Sequence, residues 1–64
     1  MSRKITVLLA DDHSLIRESL KARLEIEPDI AVVATVPNAD DAATESIRLR
    51  PDIVLMDIDM PGLT

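Results

Sequence analysis

The 64-residue sequence predicts an α/β fold, with a three-stranded parallel sheet and two helices in the order βαβαβ. Three short apolar runs rich in β-branched residues alternate with two longer segments whose apolar residues recur at helical spacing. Apolar runs without polar alternation are typical of parallel sheets, in which helices cover both faces of each strand. All three strands are therefore expected to be buried on both faces.

The strands are predicted at about residues 5–10, 30–36 and 53–57. The first contains ITVLLA and has charged residues on both sides, and the second contains IAVVATV and is closed by a Pro-Asn pair. The third contains IVLM and runs directly into an aspartate. We find no internal repeat and no linker, so the chain is expected to form part of one domain.

The helices are predicted at about residues 14–27 and 39–49, and each is followed by a proline, which cannot continue a helix. The second helix has the weaker apolar face, for which Ala43 and Ile47 are expected with some contribution from other alanines, and Asn38 is its predicted N-cap. In the first helix, three aliphatic residues recur every four positions and mark the face that packs on the sheet. These residues are Ile16, Leu20 and Leu24.

Composition excludes several classes of function. Twelve Asp and Glu against seven Lys and Arg give a formal net charge of -5, which repels nucleic acid, so this chain itself is not expected to bind DNA. The absence of cysteine excludes a disulfide framework. The first apolar run soon meets two aspartates and is too short for a signal peptide or a membrane span. We expect a cytoplasmic protein with no membrane partner.

Acidic residues follow two of the predicted strands. Asp11 and Asp12 come directly after the first strand, and Asp57 closes the third. Open parallel sheets bind ligands at the carboxyl ends of their strands, where the strand order reverses. If the order is 2-1-3, these three carboxylates meet in one pocket. Oxygen-only ligands suit a hard cation such as Mg²⁺ together with a phosphoryl group, which a carboxylate can accept as a nucleophile.

The segments VLLADDH and PDIVLMDIDMPGLT resemble the receiver domain of two-component response regulators, and the resemblance extends over the whole chain. It implies a flavodoxin-like, doubly wound parallel sheet with strand order 2-1-3, of which residues 1–64 would be the N-terminal half. A complete receiver also has a serine or threonine and a lysine that contact the phosphoryl group, and these would lie farther along. The chain is therefore expected to be a truncated receiver that is not competent alone.

The resemblance also implies roles for individual residues. Asp57 would be the phospho-acceptor, phosphorylated by a sensor histidine kinase with Mg²⁺ as cofactor. Asp12 and Asp57 would bind Mg²⁺ directly, Asp11 would act mostly through a water molecule, and the backbone carbonyl of Asp59 would supply a further oxygen. Such a domain is a signalling module and not a turnover enzyme. The DDH and MDIDMPG segments further imply a transcription regulator whose helix-turn-helix output domain, outside this chain, contacts DNA.

Other interpretations of the same residues remain open. Phosphatases of the haloacid-dehalogenase type use an aspartate nucleophile in a D-x-D motif, which Asp57 and Asp59 match, although Pro61 stands where those enzymes have threonine. The segment DIDMPG also matches the first half of a calcium loop, but Pro61 replaces a ligand there as well. His13 is a candidate phosphoryl acceptor, although a polar residue at a helix entrance usually has no chemical role.

The third strand also predicts an association between chains. In residues 1–64 no fourth strand follows it, so its outer edge would present unpaired backbone groups on an apolar strand. A homodimer formed through this edge would cover it by isologous pairing. A purely structural dimerisation fragment is therefore the third class of function.

Overall fold

The computed structural model describes residues 3–57, in which strands and helices alternate. β1 spans Ile5–Ala10, α1 Ser14–Glu25, β2 Ile30–Val36, α2 Ala39–Leu49 and β3 Ile53–Met56. The strands are parallel and their order in the sheet is β2-β1-β3, which confirms the predicted class, element order and strand order. Neither helix in this part of the chain is long and apolar enough to cross a bilayer.

The core is built on β1, the central strand. Its last four residues are at most 3% exposed. Leu8 and Ala10 pack against Val36 of β2 and Ala42 of α2, which forms the face of the sheet under α2. Successive side chains of a strand point to opposite faces, so Leu9 points to the other face, where it shares a cleft with Leu20 of α1. The two helices thus cover opposite faces of the sheet.

Helix α1 ends at Glu25, two residues before the predicted end. The Glu27 amide donates to the carbonyl of Leu24, three residues back, at 3.1 Å, so the last turn is tighter than an α-helix. The residue before a proline is disfavoured in the helical conformation. Pro28 therefore ends the helix earlier than the apolar spacing suggests.

Helix α2 packs through alanines, which are part of its predicted face, whereas the prediction that Ile47 belongs to that face is wrong. Ala42 is buried and Ala39 packs against the core, whereas Ile47 is 77% exposed and Ala43 is also exposed. Small side chains let the helix lie close to the sheet, so the face with the smallest residues is the one that packs. A search for large apolar residues at helical spacing favours Ile47 instead.

Strand β3 differs from its prediction in two ways. It ends at Met56, and Asp57 is the first residue beyond it. Its four side chains, expected to be buried on both faces, are 38–44% exposed. The reason is that β3 is the outer strand, and of the two described helices only α2 contacts it, while α1 packs on β1 and β2. Among residues 3–57, nothing covers the other face of β3.

Candidate functional site

The carboxyl ends of β1 and β3 meet because the two strands are in register. Ala10, the last residue of β1, pairs with Met56, the last residue of β3. The Asp57 amide donates to the carbonyl of Ala10 at 3.1 Å, and the Asp11 amide donates to the carbonyl of Val36 at 3.1 Å. Backbone hydrogen bonds therefore hold Asp11 and Asp57 at the same edge of the sheet.

Four side chains meet at this edge, three of them the carboxylates singled out in the sequence. One possible ligand atom from each of Asp11, Asp12, His13 and Asp57 lies within 4.8 Å of the other three. Asp11 is buried, Asp57 is half-buried, and Asp12 and His13 are exposed. The cluster therefore has a buried carboxylate at the edge of the sheet and is open to solvent on its other side.

Asp11 is fixed by the loop that follows it. Its Oδ1 accepts the backbone N–H of His13 at 2.9 Å. This backbone hydrogen bond lowers the pKa of Asp11 most, burial raises it, and the His13 ring and the Arg17 charge lower it further, so the net shift is downward. Asp11 thus remains a carboxylate anion at neutral pH although only 8% of the residue is exposed.

His13 belongs to the cluster, although its position at the start of a helix suggested only a structural role. It is the N-cap residue of α1 but makes no side-chain capping hydrogen bond. Instead, its Nδ1 lies 2.9 Å from Oδ1 of Asp12 and 3.2 Å from Oδ1 of Asp11. The signal in the sequence was the direct adjacency of a histidine to the acidic pair.

Arg17 is a residue of the site that the sequence interpretation missed. Its guanidinium Nη1 donates to the backbone carbonyl of Asp11 at 2.7 Å, and its own amide donates to the carbonyl of His13 at 2.9 Å. Helical side chains lean toward the N-terminus, so a long side chain four residues after the N-cap reaches the preceding loop. That spacing could have identified Arg17 as the residue that fastens this loop to α1.

A cleft of about 360 Å³ opens beside the cluster, between α1 and β3. Its polar end is formed by the two aspartates that follow β1 and β3 and by the side chain of an arginine of α1. The rest of the wall is aliphatic and comes from β1, α1 and β3. The polar end consists of Asp11, Arg17 and Asp57. The aliphatic wall includes Leu9, Leu20 and Leu55.

The donor set fits a hard divalent cation. Three carboxylates supply the oxygen ligands that Mg²⁺ prefers, and ligands on opposite sides of a bound Mg²⁺ are about 4.2 Å apart, close to the observed spread of 4.8 Å. The backbone carbonyl of Asp59 and the Met-Pro-Gly turn, both part of the sequence prediction, lie outside the described residues. The fit therefore rests on Asp11, Asp12 and Asp57.

Comparison with known proteins points to one family. The model of the response regulator receiver domain matches residues 7–64. The transcriptional regulatory protein LiaR of Bacillus subtilis is 41% identical over 92% of this chain and 28% of its own length. A protein-glutamate methylesterase/protein-glutamine glutaminase of Caldanaerobacter subterraneus is 42% identical over the whole chain and 18% of its own length. The response regulator domain of Thermotoga maritima CheB has a TM-score of 0.90 at 39% identity.

This chain covers 46% of that solved domain. It covers less than a third of the length of either curated relative. The matched part contains β1 from Val7 onward, all of β2 and β3, and both acidic positions at the sheet edge. The two relatives are named for different activities. The segment that both share with this chain is therefore the receiver domain and not a domain that carries either activity. The chain belongs to the response regulator receiver domain family.

Proposed function

We propose that this chain carries the phosphoryl-accepting site of a response regulator and that Asp57 is the acceptor. The observation that supports this most is the position of Asp57 at the end of β3, within 4.8 Å of the other donor atoms of the cluster. A phosphoryl group would pass from a phosphohistidine of a sensor histidine kinase to an oxygen of Asp57. The phosphorus–nitrogen bond breaks and a phosphorus–oxygen bond forms.

The remaining carboxylates serve the cofactor, for which we propose Mg²⁺. Asp12 and Asp57 would hold the ion directly, Asp11 through a water molecule, and the carbonyl of Asp59 would add a fourth oxygen. When bound, Mg²⁺ neutralises the charge on the oxygens of the transferring phosphoryl group. Asp11 is suited to its part because the His13 amide stabilises its ionised form.

A phosphatase of the haloacid-dehalogenase type is the less favoured alternative. Asp57 follows the third strand, whereas that class normally has its nucleophile after the first. The acidic pair of Asp11 and Asp12 also converges on Asp57, which a D-x-D motif alone does not require. We therefore propose that the chain takes part in its own phosphorylation without being a turnover enzyme.

Signal output would belong to other parts of the protein. We propose a DNA-binding output domain outside this chain, since LiaR is named a transcriptional regulatory protein and the net charge of -5 disfavours direct contact with DNA. We propose the cytoplasm as the site of phosphoryl exchange. The complete absence of cysteine is compatible with that compartment.

Residues 1–64 alone are proposed to form a homodimer through β3. The four side chains of this strand are 38–44% exposed, and a second copy would bury them while pairing the outer edge of the strand. Sedimentation equilibrium should give the mass of two chains. A stable, folded monomer at micromolar concentration would contradict this assembly.

Phosphorylation tests the main proposal. The longest form of the protein that contains this chain is incubated with Mg²⁺ and acetyl phosphate, and its intact mass is measured. We expect one acid- and alkali-labile acyl phosphate, which Asp57→Asn abolishes and the matched control Asp40→Asn, on the exposed start of α2, retains. Residues 1–64 alone should not be labelled. Incorporation into Asp57→Asn would refute the assignment, and sustained hydrolysis of small phosphate esters would favour the phosphatase.

A further inference from the structure

Arg17, on α1, binds both ends of the loop that carries the acidic pair. Its guanidinium Nη1 donates to the backbone carbonyl of Asp11 at 2.7 Å, and its own amide donates to the carbonyl of His13 at 2.9 Å. We propose that Arg17 is a positioning residue of the site, which holds this loop so that its two carboxylates face Asp57. The inference rests on the proposed function, because it concerns the approach of the same side chains.

The loop needs such a support because the two sides of the site are built differently. Asp57 is held through the sheet, since its amide donates to the carbonyl of Ala10 at 3.1 Å. Asp12 lies beyond the end of β1, and its side chain is 34% exposed. Carboxylate oxygens of these two residues and of Asp11 lie within 4.8 Å of one another, and like charges at such distances repel. A loop without support would open to solvent and relieve that repulsion.

Arg17 acts on the loop through its hydrogen bond more than through its charge. A guanidinium that donates to a carbonyl makes a charge-assisted hydrogen bond, about twice as strong as one between neutral groups. Arg17 is also half-buried, so the bond is partly shielded from water. Of the interactions that lower the pKa of Asp11, the hydrogen bond from the His13 amide is the strongest and the charge of Arg17 is the weakest. The Asp11 carbonyl is therefore the main point at which Arg17 acts.

Loss of the Arg17 side chain has two effects of opposite sign on the binding of Mg²⁺. Removal of a positive charge beside the carboxylates would by itself strengthen binding, since that charge repels the ion. Removal of the hydrogen bond would weaken binding, because the loop would then have to be ordered when the ion binds. Arg17→Met removes both the charge and the donor. Weaker binding in this variant is therefore the result of lost positioning and cannot come from lost charge.

The first test is amide hydrogen exchange without metal or phosphoryl donor, on the longest form of the protein that contains this chain. In Arg17→Met we expect exchange of the His13 amide, which donates to Asp11 Oδ1, to become about tenfold faster as the loop opens. The amides of Asp11 and Asp57, which donate to carbonyls of β2 and β1, should keep their protection. The matched control Arg23→Met, in the last turn of α1, should leave all three amides unchanged.

The second test is calorimetric titration with Mg²⁺, followed by labelling with acetyl phosphate. Arg17→Met should bind Mg²⁺ about tenfold more weakly, as is typical when a group that orients metal ligands is lost. The Mg²⁺ concentration for half-maximal labelling should rise by the same factor. The labelling rate at saturating Mg²⁺ should stay nearly unchanged, because Asp57 is anchored through the sheet. Arg17→Lys, which keeps a long cationic donor, should recover part of the affinity.

Circular dichroism checks the fold of each variant, and Arg17→Gln, whose amide is too short to reach the Asp11 carbonyl, replaces Arg17→Met if the latter does not fold. Unchanged exchange of the His13 amide, or unchanged or tighter Mg²⁺ binding, in the folded variant would overturn the inference. Both readouts are independent of phosphorylation. Faster His13 exchange and weaker Mg²⁺ binding in a protein whose Asp57 is never labelled would therefore refute only the proposed function.

Discussion

At the residue scale, Asp52 fastens the start of β3 to β1. The Ala10 carbonyl fastens the end of β3 to the same strand. Oδ2 of Asp52 accepts the amide of Thr6 at 2.8 Å and the Thr6 hydroxyl at 3.1 Å, and its Oδ1 accepts Arg3 Nη2 at 3.0 Å. In return, the Asp52 amide donates to the carbonyl of Thr6 at 3.0 Å. The short strand is therefore tied to β1 at both ends, which fixes the register that brings Asp57 to the site.

This contact predicts a pH dependence of stability. Hydrogen bonds from the amide and hydroxyl of Thr6 lower the pKa of Asp52, burial raises it, and Arg3 lowers it, for a net downward shift. The unfolded chain thus binds protons more readily, so the contribution of Asp52 to stability is fully present above about pH 3.9, the pKa of an unfolded aspartate, and is lost as pH falls through the lower pKa of the folded state. Urea unfolding at several acidic pH values should show a weaker loss in Asp52→Asn, which lacks the titrating group.

Thr6 offers the matching control for that experiment. Thr6→Ser keeps both the hydroxyl and the amide, so its acid loss should resemble that of the wild type. Thr6→Val keeps only the amide and should reduce the loss in part, because one of the two Thr6 hydrogen bonds to Asp52 remains. An identical acid loss in the wild type and Asp52→Asn would contradict the assigned role of this carboxylate.

The cap of α2 gives a second prediction at this scale. The sequence predicted Asn38 as the N-cap, and the structure confirms it, since its Oδ1 accepts the amide of Asp41 at 2.7 Å. Asn38→Ala should lower the free energy of unfolding by about 1 kcal/mol, whereas Asn38→Ser, which can also cap, should lower it less. Denaturant unfolding measures both, and equal stability of all three proteins would rule out a capping contribution.

At the scale of elements, the interface of α2 shows what the sequence could and could not predict. The apolar run of β1 predicted its burial correctly, whereas the equally apolar run of β3 did not, because β1 is the central strand and β3 an outer one. The packing face of α2 could not be found in the same way. Alanines carry little hydrophobic signal, and their advantage, a close approach of helix and sheet, depends on the opposing strand surface.

Ala42 and Ile47 provide a direct test of that face. Ala42 is 3% exposed and packs with Leu8 and Ala10, so Ala42→Leu should overpack the core and destabilise the protein by about 1–3 kcal/mol. Ile47→Ala, at a side chain of the same helix that is 77% exposed, should change stability little. Thermal unfolding of the two variants distinguishes the faces, and the reverse order would mean that α2 packs as the sequence pattern suggested.

At the scale of the whole molecule, strand order decides the site. Asp57 lies 45 or more positions from the acidic pair in the sequence and reaches it only because β3 pairs with β1. Apolar runs predict strands but not their neighbours, and the order 2-1-3 came from the family resemblance. The contacts of the His13 ring and of Arg17 escaped prediction because they depend on the path of a short loop, for which adjacency and helical spacing are only weak signals.

The same topology explains the exposed surface of β3. Both strand-end aspartates are anchored through the sheet, so the cluster forms even though one face of β3 is uncovered by the described residues. Leu55, on that face, lines the cleft beside Asp57. Substitutions in the aliphatic wall should thus affect stability and association before they affect the carboxylate cluster.

The most direct measurement is to locate the phosphoryl group in the chain. After reaction of the longest form of the protein with Mg²⁺ and acetyl phosphate, borohydride reduces an aspartyl phosphate to homoserine, which peptide mass spectrometry assigns to one position. We predict homoserine at Asp57 alone, and none in Asp57→Asn. Homoserine at Asp11 or Asp12, or no modification in a folded protein that binds Mg²⁺, would contradict the proposal that the end of β3 presents the phosphoryl acceptor.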